Sequence, residues 1–179
     1  MLKYLSIPIA VVCLAVAAQL MIKLPEEISV VPITAQSLAV LLIIELMLWE
    51  SGIAAIVLYV LFGGLGMPLF ADFKAGWEVV NGPALGYFIG FFVAVVSLSK
   101  WADRSKKAGP MSLRLLLATL IILLGGWLGL LRYLEPQVAF QKGILPYLPG
   151  AFVKISLAFI IIGLYRRFKG LMKQIDGEV

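Results

Sequence analysis

The feature that most constrains this chain is its series of long, nearly uncharged apolar runs. Stretches of about 18 or more apolar residues read as transmembrane helices, because that length covers the hydrocarbon core of a bilayer. Six apolar segments can be drawn, all but the third of about that length: about residues 4–22, 32–49, 51–61, 83–100, 112–134 and 148–165. Across the 179 residues 62% are hydrophobic and only 14% are charged, against about a quarter charged in an ordinary soluble domain. A soluble fold of this length has too much surface for its volume to hide so much apolar area. The expectation is an all-α membrane protein, a six-transmembrane-helix bundle, with residues 1–179 forming a single membrane domain.

The third segment is short. Phe62-Gly63-Gly64-Leu65-Gly66-Met67-Pro68 ends or breaks it, since glycine and proline punctuate helices. Non-helical backbone at membrane depth is tolerated only where protein or a cavity covers it. Residues 62–83 are therefore expected to form a structured loop that dips back toward the bundle.

Charge asymmetry sets the expected orientation. Lys3, the stretch carrying Lys100, Arg104, Lys106, Lys107 and Arg114, and the tail with Arg166, Arg167, Lys169 and Lys173 share one side in a six-span chain. That is ten of the fifteen basic residues; Lys23, Lys74, Arg132, Lys142 and Lys154 fall on the other side. Cytoplasmic loops collect Lys and Arg, so both termini are expected in the cytoplasm. The net charge of +5 then marks orientation, and no nucleic-acid partner is expected. A rival reading of the first segment is a signal peptide ending near Ala15-Val16-Ala17. The weak basic start and the continuing apolar run favour retention.

Missing residues exclude chemistry. There is no histidine, hence no Ser-His-Asp triad, no Cys-His dyad and no HExxH zinc site. Cys13 is the single cysteine, so no disulfide partner exists within the chain, and a packing role is favoured over a reactive one. Ala10, Cys13 and Ala17 fall on one face of the first segment, a spacing that allows close helix approach. No metal or cofactor is expected. A membrane enzyme is disfavoured because no nucleophile–base pair and no paired carboxylates converge at one depth.

Polar side chains in apolar segments are costly, so each raises a functional question. Lys154 stands about one turn into the last segment. It is either a cation awaiting an anionic ligand group or a lysine snorkelling to the interface. Gln36 and Asn81 can each donate and accept hydrogen bonds and suit an amide-like or ureido ligand; Asn81 can equally cap a helix ahead of Pro83. Tyr87, six residues after Asn81, faces the same space or marks the aromatic belt. Phe70 and Trp77 either lid the site or anchor the interface. Glu45 and Glu50, near the cytoplasmic end of the second segment, are expected to reach water.

Four ordered motifs carry a resemblance to a known family. Val31-Pro32-Ile33-Thr34-Ala35-Gln36-Ser37-Leu38-Ala39-Val40-Leu41-Leu42 resembles the P-x-T-x-Q-x-L-A-V-L-L stretch of BioY proteins. Tyr59 to Ala71 resembles their Y-L-x-x-G-x-x-G-x-P-V-F-A segment, and Asn81 to Phe91 their G-P-T-x-G-Y-L-I-G-F segment. Leu148-Pro149-Gly150-Ala151-Phe152-Val153-Lys154 aligns with their P-G-D-x-x-K. BioY proteins are substrate-binding membrane subunits, or S components, of energy-coupling-factor transporters for biotin. The resemblance implies a bundle of the S-component type with a biotin pocket near its outer face. Carried over by motif, the substrate-binding residues are Asn81, Tyr87 and Lys154, with Gln36, Ala151 and the Gly66-Met67-Pro68 loop nearby. It also implies partners: a transmembrane coupling subunit and cytoplasmic ATPase subunits. The chain itself lacks a GxxxxGK[ST] phosphate loop, so it has no ATPase site of that kind. Two departures stand out. Ala151 replaces the family's Asp, which leaves open another small carboxylated vitamin or precursor such as lipoate. The family's alanine-spaced coupling motif in the first segment is only approximate here, as Ala10, Cys13 and Ala17, so the resemblance implies docking to the usual coupling subunit less strongly than it implies the fold. A non-catalytic membrane assembly subunit is a further alternative.

Overall fold

The computed structural model describes residues 2–103 and 110–175. The chain folds into a bundle of apolar helices: α1 (Leu2–Gln19), α2 (Gln36–Leu46), α3 (Trp49–Gly64), α5 (Leu85–Asp103), α6 (Met111–Leu130) and α8 (Leu148–Ile175). Two short helices, α4 (Trp77–Val80) and α7 (Pro136–Gly143), lie in the connections, with single 3-10 turns at Ala71–Phe73 and Leu145–Tyr147. By length and composition α5, α6 and α8 can each cross a membrane, whereas α1, α2 and α3 are apolar but shorter. The loop cations Arg104, Lys106 and Lys107 lie outside the described residues.

Several boundaries differ from the apolar runs. The second run begins near Pro32, yet α2 starts only at Gln36, because Ile33–Thr34 pairs as an antiparallel strand with Met21–Ile22 (β1 and β2). At 11 residues α2 is only about 16 Å long. Helix α3 extends to Gly64 rather than stopping at Leu61. The fifth run overshoots, since α6 ends at Leu130 and Pro136 starts α7 at its first turn, where a missing N–H costs nothing. Helix α8 runs ten residues past the expected end at Tyr165. Its 28 residues reach about 42 Å, beyond a hydrocarbon core of about 30 Å.

Helices α5 and α6 meet backbone to backbone through glycines. A Cβ on Gly129 would stand 2.6 Å from the Gly86 Cα, and one on Gly125 would stand 3.0 Å from the Gly90 Cα. Gly86 and Gly90 thus face Gly125 and Gly129, a reciprocal small-xxx-small seam that gains dispersion energy from close packing where lipid supplies no hydrophobic drive. On α1 the buried stripe is Ala10, Val11, Leu14, Ala17 and Ala18, packed on this chain's own α2 and α3. Cys13 is exposed, so it does not share the face of Ala10 and Ala17 that its spacing suggests.

The connection after α3 folds back on the bundle. Phe70 is 2% exposed and meets Tyr59 edge-on at 5.5 Å and Phe88 at 5.2 Å. The Gln19 side chain ties the same segment to the end of α1. Its amide Nε2 donates to the Phe70 carbonyl at 2.9 Å, and its Oε1 accepts from the Phe73 N–H at 3.1 Å. Asp72 and Phe73 take positive φ values of 64° and 54°, a strained turn that these two ties hold in place.

Candidate functional site

A cavity of about 820 Å³ opens at the end of the bundle where α2 begins, within the range of small-molecule sites. Its wall is built from α2, the folded-back loop, the starts of α5 and α8, and the middle of α6. Phe70, Phe88 and Phe91 give it an aromatic side, and Ile122 and Leu123 an aliphatic one.

Helix α8 presents one inward stripe: Ala151, Lys154, Ile155, Ala158 and Ile162 are buried or half-buried, while the flanking Phe152, Val153, Phe159 and Ile160 are exposed. That i, i+3, i+4, i+7 spacing puts Ala151 and Lys154 in the cavity wall. The Lys154 ammonium donates to Ser37 Oγ at 3.0 Å. Among the described residues no carboxylate pairs with it.

Gln36 lines the cavity, but much of its amide is engaged. Thr34 Oγ1 donates to its Oε1 at 2.9 Å, and its Nε2 donates to the Tyr59 hydroxyl at 2.7 Å. Tyr59 in turn donates to the Leu69 carbonyl at 3.2 Å. Gln36 therefore clamps α2, α3 and the loop, with one amide N–H outside these bonds. Tyr87 offers its ring to the cavity; its hydroxyl donates to the Gly143 carbonyl at 2.8 Å.

Two groups of expected residues stand elsewhere. Asn81 is exposed, ends α4 and is absent from the cavity wall; its carbonyl accepts from the Tyr133 hydroxyl at 2.9 Å. The four-residue α4 turns it away, so Gly82 and Pro83 line the space in its place. Gly66, Met67 and Pro68 are all exposed and also lie outside the wall, because the chain reverses at Gly66 (φ 110°) and re-enters at Phe70. Phe70 is a wall residue, whereas Trp77 lies outside it and packs over Gly64.

The structure adds residues that the sequence reading missed. Tyr147 stacks against Tyr87 at 5.4 Å, donates to the Val31 carbonyl at 2.6 Å and lies 2.9 Å from Ser29 Oγ. Burial pushes its hydroxyl pKa up, so it stays protonated as a donor. Its signal was an aromatic held between Pro146 and Pro149, but its contacts are 116 to 118 residues away in sequence. Ser37, Thr34 and Thr119 also line the wall. At the mouth Lys23 and Asp72 pair at 2.7 Å. The hydrogen bond from Lys23 holds the Asp72 carboxyl below the usual carboxylate range.

A second charged cluster sits at the far end of α2. Arg114 forks onto Glu45, Nε to Oε1 at 2.6 Å and Nη2 to Oε2 at 2.9 Å, and Arg166 Nη2 adds a contact to Oε2 at 2.8 Å. The Glu45 side chain is 0% exposed. This corrects the expectation that Glu45 reaches water: it joins α2, α6 and α8 at the end opposite the cavity.

A helical membrane bundle with a ligand-sized cavity, an aromatic wall and a half-buried ammonium, Lys154, in that wall is the architecture of a substrate-capture subunit. Comparison with a crystal structure entitled the S-component for biotin from an ECF-type ABC transporter gives a TM-score of 0.77, at 17% identity, over 93% of this chain and 92% of that one. The fold is therefore that of this S-component. The sequence profile of the BioY family matches residues 2–170, and the chain belongs to that family. Relatives include a probable biotin transporter BioY of Pyrococcus horikoshii, 34% identical over 137 residues (75% of this chain, 80% of that protein). The biotin transporter BioY of Thermotoga maritima is 28% identical over 137 residues, covering 73% of this chain and 78% of that protein. The chain is thus a multi-pass prokaryotic membrane protein of a transporter family, not of an enzyme family.

Proposed function

We propose that this chain captures biotin in the cavity at the start of α2 and serves as the substrate-binding subunit of an energy-coupling-factor transporter. The observation that carries the reading is Lys154: a half-buried ammonium in the cavity wall, hydrogen-bonded to a serine and paired with no described carboxylate. A ligand carboxylate would complete it, while the aromatic wall would cover the apolar part of a vitamin of this size. The names of the relatives support biotin as that ligand.

The ligand-contacting residues proposed are Lys154, Gln36, Tyr87 and Ala151. The single membrane domain is oriented with both termini cytoplasmic, on the strength of its basic residues. Energy would come from a transmembrane coupling subunit and cytoplasmic ATPase subunits, consistent with the missing phosphate loop. The exposed apolar face of α1, with Ile9, Val12 and Val16, is available to lipid or to the coupling subunit.

Lys154→Ala tests the reading. Loss of a charge-assisted contact should weaken biotin binding about ten- to hundredfold, or roughly 1.5–3 kcal/mol, with little change in melting temperature. Unchanged binding would defeat the role given to Lys154. One observation favours a second reading: Ala151 presents a methyl group to the cavity, so a ligand with fewer polar atoms than biotin, such as lipoate, would meet no unpaired partner there. A thermal-shift panel of biotin, lipoate and shorter carboxylates separates the two.

A further inference from the structure

We propose that Ser37 is the residue that positions Lys154 and makes the cavity selective for an anionic ligand over its neutral analogue. The inference rests on the biotin reading above and deepens it. Ser37 and Lys154 come from different helices, 117 residues apart, and both line the cavity. An unrestrained lysine this close to a helix end would swing its ammonium toward the membrane interface. The 3.0 Å bond to Ser37 Oγ instead holds the ammonium over the start of α2.

The chemistry of this pair is directional. The ammonium has three donors and no acceptor, so Ser37 Oγ must accept one of them. That leaves two ammonium N–H groups and the serine O–H, three donors at a pair that lines the cavity. A carboxylate, acceptor-only with two oxygens, fits three donors; a primary amide, with a single oxygen and an NH2 group of its own, does not. Neutrality of the serine is equally important. An acidic partner would neutralise the ammonium and repel an incoming carboxylate, and the neighbouring wall position on α8 is Ala151, which supplies no acid.

Isothermal titration of the purified protein with biotin and with biotinamide provides the test. The intact protein should prefer biotin by at least about tenfold. Ser37→Ala should weaken biotin about three- to tenfold and leave biotinamide within about twofold. Ser37→Thr, which keeps the hydroxyl, should retain the preference. Ser37→Asp should collapse it toward unity. A biotin-to-biotinamide ratio in Ser37→Ala equal to that of the intact protein overturns the assignment while leaving the biotin reading standing. If Ser37→Ala does not fold, the Asp and Thr variants decide: a preserved ratio in Ser37→Asp, or a lost one in Ser37→Thr, overturns it. No biotin binding by the intact, folded protein overturns the ligand reading and this assignment together.

Discussion

Substituting Glu45 with alanine should be among the most damaging single changes in the chain, although it touches no part of the cavity. Its carboxylate is fully buried and accepts a two-point fork from Arg114, whose side chain is 5% exposed. Breaking a buried ion pair by removing one partner costs about 3–5 kcal/mol. Arg166 contributes less. Its side chain is 49% exposed, so solvent screens its contact and Arg166→Ala should cost about 1 kcal/mol or less. For a chain of this length, 1 kcal/mol shifts the melting temperature by about 2–4 °C, so Glu45→Ala should melt about 6–20 °C lower. Because desolvation opposes the ion pair, the double replacement Glu45→Leu with Arg114→Leu should recover most of that loss. Thermal unfolding of detergent-solubilised protein reads all three variants. A Glu45→Ala protein melting within about 1 °C of the parent, or a double variant worse than the sum of its singles, would refute the reasoning.

Further outcomes follow from the geometry and the composition. Gly129→Ala forces α5 and α6 apart at a seam where the added Cβ would stand 2.6 Å from the Gly86 Cα. Overpacking of that kind costs about 1–3 kcal/mol, whereas Gly163→Ala, with nothing within 4 Å, should be neutral or stabilising in the same melting assay. Tyr147→Phe removes the donor to the Val31 carbonyl and should cost about 1–3 kcal/mol, read as a lower melting temperature and faster ligand release. The Asp72 pKa is lowered in the folded protein. The contribution of the Lys23–Asp72 pair is therefore present above the ordinary carboxylate pKa and is lost as pH falls through the lower folded value. With no histidine in the chain, biotin affinity measured by titration should be flat from about pH 5 to 7 and fall as pH drops through the ordinary carboxylate range near about 4; a midpoint near pH 6 would contradict this.

What was legible in the sequence depended on whether the signal was local. A long apolar run announces itself, so α5 and the start of α8 lie close to where hydropathy placed them. Lys154 and Tyr87 stood out because a polar group in an apolar run is costly wherever the chain goes. The start of α2 was misplaced because Ile33 and Thr34 pair with Met21 and Ile22, a partnership that hydropathy does not encode. Helix α7 escaped notice because it is short and mixed in polarity, although Glu135-Pro136 carried a helix-start signal. The Gly86–Gly90 and Gly125–Gly129 spacings were present too, but which glycines face each other is a tertiary fact. Glu45 was misjudged for the same reason. An acid near a helix end reads as solvated, and only the fold brings Arg114 and Arg166 from 69 and 121 residues away. Asn81 is the converse case: its polar side chain and its motif both pointed to the site, while α4 leaves it exposed and outside the cavity wall.

The central claim is that this bundle binds a carboxylated vitamin, biotin, in the Lys154 cavity. Isothermal titration of purified, folded protein with biotin addresses it most directly. The account predicts a saturable one-to-one isotherm at micromolar biotin or below. A flat isotherm at those concentrations, from protein with a cooperative thermal transition, would contradict it.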